Sequence, residues 1–287
     1  MNEIVIISGK GGTGKTSIAA SFAAIGESKV LADCDVDASD LHLVLFPTVV
    51  DKGEFWSGKK ARIEEEKCNE CGLCQELCRF NAIKNFKVDH LSCEGCGFCF
   101  HACPAGAIVM EDVLSGHWFV SETRYGPLVH ARLIPGEENS GKLVALVRQK
   151  AKALAEEKAL KYIITDGPPG IGCPVISSLS GAAMALLVAE PTMSGVSDLE
   201  RAVGVCNHFG IPAAVCINKY DLNEEIGREI ERYCSQRGIE LVGKLPFDEA
   251  FVEAISKGVP VVEYSKGSIR NEIERIWETI ATRVKKQ

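Results

Sequence analysis

The sequence predicts a doubly wound α/β fold with a mostly parallel sheet, interrupted by a smaller α+β segment. Three observations lead there. Short β-branched runs alternate with longer helical patterns at both ends of the chain, as expected when parallel strands are joined by crossover helices. The first run, Ile4 to Ile7, leads into Gly9-Lys10-Gly11-Gly12-Thr13-Gly14-Lys15-Thr16. That G-x4-G-K-[ST] spacing belongs between a strand and a helix. Finally, eight cysteines crowd into residues 68–103, where the alternation stops.

Taken in order, Ile4 to Ile7 is a buried strand. Lys15 to Gly26 reads as a helix with Ile18, Ala19, Phe22 and Ala23 on one face. Val30-Leu31-Ala32 is a second strand, ending at Asp33-Cys34-Asp35-Val36-Asp37. After Pro47 the pattern dissolves, with Gly, Lys and Glu frequent up to Glu66, and the cysteine block follows. Residues 116–133 suggest a β-hairpin turning near Tyr125-Gly126-Pro127. Alternation resumes over 141–158, 162–166, 185–189, 197–209, 212–217, 224–237 and 268–284. The last of these carries an apolar stripe (Ile269, Ile273, Ile276, Ile280, Val284) that fits the inner face of a helix packed on the sheet. The expected organisation is therefore a discontinuous nucleotide-binding domain, 1–57 and 114–287, with 58–113 inserted.

Composition narrows the function. The chain has 287 residues, is 46% hydrophobic and 25% charged, and carries a formal charge of −7. It lacks a basic block able to neutralise a run of phosphates, so no nucleic-acid partner is expected. No apolar stretch is long enough to span a bilayer, and Met1-Asn2-Glu3-Ile4 does not open a secretory signal. A cytoplasmic location without membrane association is expected. In a reducing compartment, thirteen cysteines point to metal ligation more than to disulfides.

The glycine loop has a definite chemistry. Backbone N–H groups of the loop and helix start point at phosphate oxygens, and the helix dipole adds favourable potential. Lys15 would reach the β- and γ-phosphates, while the Thr16 hydroxyl would bind Mg²⁺. Asp166, at the end of Tyr162-Ile163-Ile164-Thr165, is placed to hold the metal's water shell.

The cysteines form two copies of C-x2-C-x2-C-x3-C: Cys68, Cys71, Cys74, Cys78, then Cys93, Cys96, Cys99, Cys103. This is the ligand spacing of a bacterial ferredoxin with two [4Fe–4S] clusters, in which the fourth cysteine of each run serves the other cluster. One cluster would use Cys68, Cys71, Cys74 and Cys103; the other Cys78, Cys93, Cys96 and Cys99. Pro104 follows the second run as the pattern requires, but Arg79 replaces proline after the first. Zinc is the alternative occupant of C-x2-C pairs.

The loop written K-G-G-x-G-K-T, with Lys10 as its first lysine, resembles the deviant phosphate loop of the MinD/ParA/Mrp class of ATPases. Asp33-Cys34-Asp35 is similar to its switch I D-x-D, Asp166-Gly167-Pro168-Pro169-Gly170 to its switch II, and Glu190-Pro191-Thr192 to the following strand end. The resemblance covers nearly all of the chain outside the insert. It implies ATP and Mg²⁺ as ligands, held by Gly11, Gly12, Thr13, Gly14, Lys15 and Thr16. It also implies a dimer in which Lys10 crosses to the partner's phosphates, and an attacking water positioned by Asp35. Asn218 and Pro246 would form the adenine pocket, although Asn218-Lys219-Tyr220-Asp221 is also how many GTPases read guanine. A switch II cysteine in the nitrogenase iron protein bridges subunits through a cluster. Cys173 stands at the matching offset, but the second bridging cysteine has no counterpart here, so the expected role is a small residue packed beneath Pro174, with ligation as the alternative.

Together with Gly116-His117-Trp118 and Tyr125-Gly126-Pro127-Leu128-Val129, these features resemble MinD-superfamily ATPases that carry an inserted ferredoxin domain. That resemblance implies an ATP-gated electron-transfer protein, a homodimer or a heterodimer with a paralogue, meeting redox partner proteins. An iron–sulfur carrier and a redox-sensing positioning ATPase are the alternatives.

Overall fold

The computed structural model describes residues 1–138 and 140–285. In chain order the elements are β1 (Asn2–Ser8), α1 (Lys15–Ile25), β2 (Lys29–Asp33), α2 (Leu41–Leu45), β3 (Thr48–Ile63), α3 (Leu73–Leu77), β4 (Ile83–Lys84), β5 (Lys87–Val88), α4 (Phe98–Ala102), β6 (Ile108–Thr123) and β7 (Gly126–Leu133). They continue as α5 (Ser140–Glu157), β8 (Tyr162–Pro169), α6 (Cys173–Leu179), β9 (Met184–Ala189), α7 (Met193–His208), β10 (Ala213–Asn218), α8 (Glu224–Arg237), β11 (Glu240–Leu245), α9 (Ala250–Ser256), α10 (Val261–Tyr264) and α11 (Ser268–Val284). No described helix is long and apolar enough to cross a membrane.

The strands follow one another in the order β11-β10-β9-β1-β8-β2-β7-β6-β3. β1 sits between β8 and β9 and runs parallel to both. Ile4, Val5, Ile6 and Ile7 are consequently sealed on both faces, which is why the run reads as uniformly apolar instead of alternating. Helices cover the two faces as two separate cores. On one face Phe22 of α1 packs against Trp277 of α11, with ring centroids 5.1 Å apart, and Ile269, Ile273 and Ile276 join them. On the other, Val175, Leu179, Leu199 and Ala202 close over Val5 and Ile7. The apolar stripe of α11 is thus an inner face, and Lys286 beyond it lies outside the described residues.

The chain divides into two compact units. The first comprises Met1–Lys52, Trp118–Arg132 and Ser140–Gln287; the second comprises Gly53–His117 and Leu133–Asn139. The second unit contains α3, α4 and the antiparallel pair β4-β5, packed around Ala61, Ile63, Cys74, Ile83 and Ile108.

Several expectations needed adjusting. The stretch after Pro47 forms a 16-residue strand, β3. It escaped notice because Asp51, Lys52 and Glu54 interrupt any alternation and most of its first half is exposed. The hairpin between β6 and β7 exists with Gly126 at φ 122°, but β6 begins eight residues earlier than the sequence suggested. α6, β11, α9 and α10 were not foreseen; all are short, and α6 opens on Cys173-Pro174 straight after a Pro-Pro-Gly segment.

Candidate nucleotide site and cysteine quartets

Register brings the acidic residues together. β2 and β8 pair so that Asp33, the last residue of β2, lies opposite Asp166 in the carboxyl half of β8. The amide of Cys34 donates to the Asp166 carbonyl at 2.8 Å. The carboxyl ends of parallel strands are where open α/β sheets bind ligands. The glycine loop leaves β1 at this same end. Gly12 and Gly14 adopt left-handed φ of 77° and 92°. A Cβ at Gly14 would stand 2.4 Å from Asn218 Nδ2, so a side chain is excluded there on two grounds. Gly9 is equally constrained by Asp198, whose Cβ would be 2.2 Å from a Cβ at Gly9.

Asp166 is 1% exposed, and neither carboxylate oxygen has a hydrogen-bond partner; the Thr13 hydroxyl is buried and unpartnered as well. Burial pushes the Asp166 carboxyl up to about 7, opposed by Lys15 and by the nearby Thr16 hydroxyl, which completes no hydrogen bond. Lys15 is 5% exposed. An orphaned carboxylate with a buried lysine and a threonine beside it is a donor set suited to Mg²⁺ through its water shell and to phosphate oxygens. These residues fit a Mg-nucleotide. Thr16 and Asp166 would hold the cation, which would draw charge off the phosphates.

The two switch I acids differ. Asp33 is fully buried and accepts from the Ser39 hydroxyl at 2.7 Å, the Leu41 amide at 3.1 Å and the Asp35 amide at 3.2 Å. It fixes the loop. Burial and neighbouring Asp166 still raise its pKa well above the usual carboxylate range. Asp35 is only half-buried, and its carboxyl is raised by burial against the opposing pull of Lys15. It is the acid left accessible to a water molecule.

Lys10 and Asn218 are already engaged. Lys10 Nζ lies 2.8 Å from Glu190 Oε2 and donates to Thr192 Oγ1 at 3.0 Å. The other oxygen of Glu190 takes Lys219 Nζ at 2.7 Å, and Lys219 also donates to the Gly12 carbonyl at 3.1 Å. The two lysines hold the Glu190 carboxyl below its ordinary range, although burial works the other way. Asn218 Nδ2 donates to the buried Thr13 carbonyl at 2.8 Å, and its Oδ1 accepts from the Lys219 amide. The Nδ2 end of Asn218 therefore braces the glycine loop, while Oδ1 holds the residue that follows it. Pro246 lies just after β11, where Asp221 Oδ1 accepts from the Phe247 amide at 2.6 Å and ties the two loops together. Sequence reasoning overlooked Glu190 as the hub of this network. An acid at a strand end between two loop lysines was the available signal.

In the second unit, the eight cysteines of the two runs line two cavities. Cys78, Cys93, Cys96 and Cys99 line one cavity of about 250 Å³. Cys68, Cys71, Cys74 and Cys103 line a tighter one of about 20 Å³. Burial raises the Cys74 thiol, as do Cys68, Cys103 and Cys71; burial likewise raises Cys99, as do Cys93, Cys96 and Cys78. Backbone amides approach the sulfurs of both fourth cysteines, Ala82 N to Cys78 at 3.4 Å and Ala107 N to Cys103 at 3.3 Å. Among the described residues no three His, Cys, Asp or Glu side chains converge tightly enough for a single metal ion.

Cys34, Cys206, Cys216 and Cys234 are buried. Cys173 is exposed at the start of α6, so the expectation of a residue packed beneath Pro174 does not hold. A glycine, Gly141, is its close neighbour; a Cβ there would be 3.4 Å from Cys173 Cβ.

Comparison with known proteins bears on the first unit's chemistry. Residues 4–261 match the CobQ/CobB/MinD/ParA nucleotide binding domain. An uncharacterized protein of Methanocaldococcus jannaschii is 37% identical over 226 residues, spanning 77% of this chain and 79% of its own. The septum site-determining protein MinD of a Synechocystis species is 26% identical over 282 residues, covering 94% of this chain and 85% of its own. In fold, the chain resembles MinD complexed with Mg-ADP from Pyrococcus horikoshii, with a TM-score of 0.58 at 18% identity, covering 97% and 95% of the two chains. The chain belongs to the CobQ/CobB/MinD/ParA family of nucleotide-binding P-loop ATPases.

Proposed function

We propose that the protein is a dimeric switch that binds and hydrolyses Mg-ATP and couples that cycle to two [4Fe–4S] clusters, gating electron transfer to an acceptor protein. The observation that carries this reading is the sorting of eight cysteines into two four-thiol cavities. Each set joins three cysteines of one run to the fourth of the other, the ligand sharing of two-cluster ferredoxins. Clusters bound there would supply one-electron chemistry, and the protein would set their potential through charge, solvent access and N–H donors to sulfur.

In the nucleotide unit, Lys15 and Thr16 hold phosphate and metal, Asp166 anchors the metal's waters, and Asp35 orients the attacking water. Lys10 reaches a second subunit after leaving Glu190. The dimer is of two copies or of this chain with a paralogue, and redox proteins are its partners. Beyond residue 104 the chain has no C-x-x-C pair, and Cys206, Cys216 and Cys234 are buried, which disfavours a cluster-delivering carrier.

Anaerobic purification followed by iron analysis and EPR, with and without Mg-ATP, tests the reading. It predicts about eight irons per chain, from two four-iron clusters, and cluster potentials or transfer rates that respond to nucleotide. Iron far below that number, or the absence of γ-phosphate cleavage, would overturn it.

A further inference from the structure

β3 is the last strand of its sheet: among the described strands it has a neighbour, β6, on one side only. Every residue from Thr48 to Lys52 is exposed. Side chains alternate along a strand, so Val50, Lys52, Glu54 and Trp56 share one face. All four are exposed, Val50 at 60% and Trp56 at 54%. The opposite face turns inward at Phe55. Gly58, at left-handed φ 77°, then interrupts the alternation, and Lys60 and Ala61 are buried in succession. Residues 48–57 thus form a long open edge flanked by exposed apolar side chains. Such edges template pairing with another strand, and sheets ordinarily blunt them by shortness, proline or lysine. This segment carries no proline and a single lysine.

The order of side chains selects the occupant. When two identical strands pair antiparallel about a two-fold axis normal to the sheet, each face maps onto itself. The axis must then pass through one residue and its own copy. An axis at Lys52 sets that lysine against itself, and an axis at Glu54 does the same to the glutamate. Like charges directly opposite destabilise a sheet. With the axis at Gly53, Lys52 stands opposite Glu54 of the second copy and Val50 opposite Trp56, and symmetry repeats both pairs. On the other face Val49 meets Ser57 and Asp51 meets Phe55, so no like charges are opposed. Trp56 Nε1 donates to Glu54 Oε2 at 2.9 Å, which holds ring and carboxylate together on the exposed face. In this register the edge complements itself, charge against opposite charge and apolar side chain against apolar side chain.

We propose that β3 is a homotypic docking edge: two copies of this chain join antiparallel through residues 49–57 about Gly53, continuing the sheet across the two-fold axis. The pairing needs neither nucleotide nor metal, because every group in it lies on one strand of each chain, and it does not rest on the Mg-ATP or cluster reading. It is a second contact beside the pairing through Lys10 proposed above. Two isologous contacts on one chain build assemblies larger than a dimer.

The test is sedimentation and amide hydrogen exchange on the full-length protein, free of nucleotide. The wild type should dimerise at micromolar concentration, with exchange over residues 48–57 slowing as the dimer fills. Lys52→Glu opposes two glutamates at both symmetric positions and should raise the dimer dissociation constant about tenfold. Glu54→Lys alone should do the same with lysines. The double variant restores opposite charges in reversed order and should return the wild-type affinity. Both positions are exposed, so nucleotide binding should persist in all three variants and reports that they fold. A wild type that stays monomeric without nucleotide, a dimer indifferent to the single changes, or a double variant as weak as the single ones would sink the proposal, while the nucleotide and cluster readings would stand.

Discussion

Replacing Asp166 by Asn isolates the energetic consequence of an orphaned buried carboxylate. In the metal-free protein the group titrates at about 7, against 3.8 for an unperturbed aspartate. Such a shift, at 1.36 kcal/mol per unit, corresponds to about 4 kcal/mol held against the fold once both states are ionised. The sign follows from proton counting. Between about pH 4 and 7 the native state holds the proton longer than the unfolded chain, so stability falls as pH rises through that window. Asparagine removes the charge but leaves its own amide without a partner, at a penalty of about 1–3 kcal/mol. It also relieves Asp33, whose carboxyl is raised in part by Asp166. A net gain of about 1–3 kcal/mol at pH 8 follows, or ~2–4 °C of melting temperature per kcal/mol in a domain of this size. The assay is thermal unfolding in chelator at pH 8 and pH 5.5. The advantage of the variant should shrink by about 2 kcal/mol at the lower pH, and Mg-ADP should stabilise only the wild type. A variant less stable than wild type at pH 8, or an advantage indifferent to pH, would refute the reasoning.

Other outcomes follow from the same geometry. Asp35→Asn should retain nucleotide binding and lose about 10²–10⁴-fold in steady-state ATP hydrolysis, the usual range for a positioned acid or base; equal losses in binding would point to a structural role. Asn218→Ala strands the buried Thr13 carbonyl and should destabilise the glycine loop by about 1–3 kcal/mol, read as weaker nucleotide affinity by calorimetry for ATP and GTP alike. A loss confined to one base would instead mark Asn218 as a base reader. Cys173→Ala should leave iron content and ATPase rate unchanged. Glu190→Gln loosens Lys10 and Lys219 and should strengthen ATP-dependent dimerisation in sedimentation experiments; weaker dimerisation would mean that Glu190 supports the assembled form.

Much of the nucleotide site was legible because its parts are local. A glycine loop after a β-branched strand, and an aspartate ending Tyr162-Ile163-Ile164-Thr165, declare themselves by spacing, and sheet register then places Asp33 across from Asp166. What stayed hidden depends on distant partners. That Asn218 is bonded to Thr13, and Lys10 to Glu190, joins residues some two hundred positions apart, and no periodicity encodes such pairs. β3 was missed for a different reason: alternation identifies a strand only when one face is buried, and the first half of β3 is exposed on both. The exposure of Cys173 was misjudged because cysteine tends to be buried, a tendency that does not hold at the opening of a short helix.

The Glu190 hub has a consequence for concentration. In the dimer proposed above, Lys10 serves a neighbour's phosphates, and within one chain it is held by an internal anion, Glu190, 2.8 Å away. Encounter between subunits must therefore compete with an intramolecular bond, and each ~1.4 kcal/mol of that bond raises the protein concentration needed for pairing about tenfold. A small retaining force inside one subunit thereby becomes a threshold for the population, keeping sparse molecules apart until abundance and bound triphosphate together tip the balance.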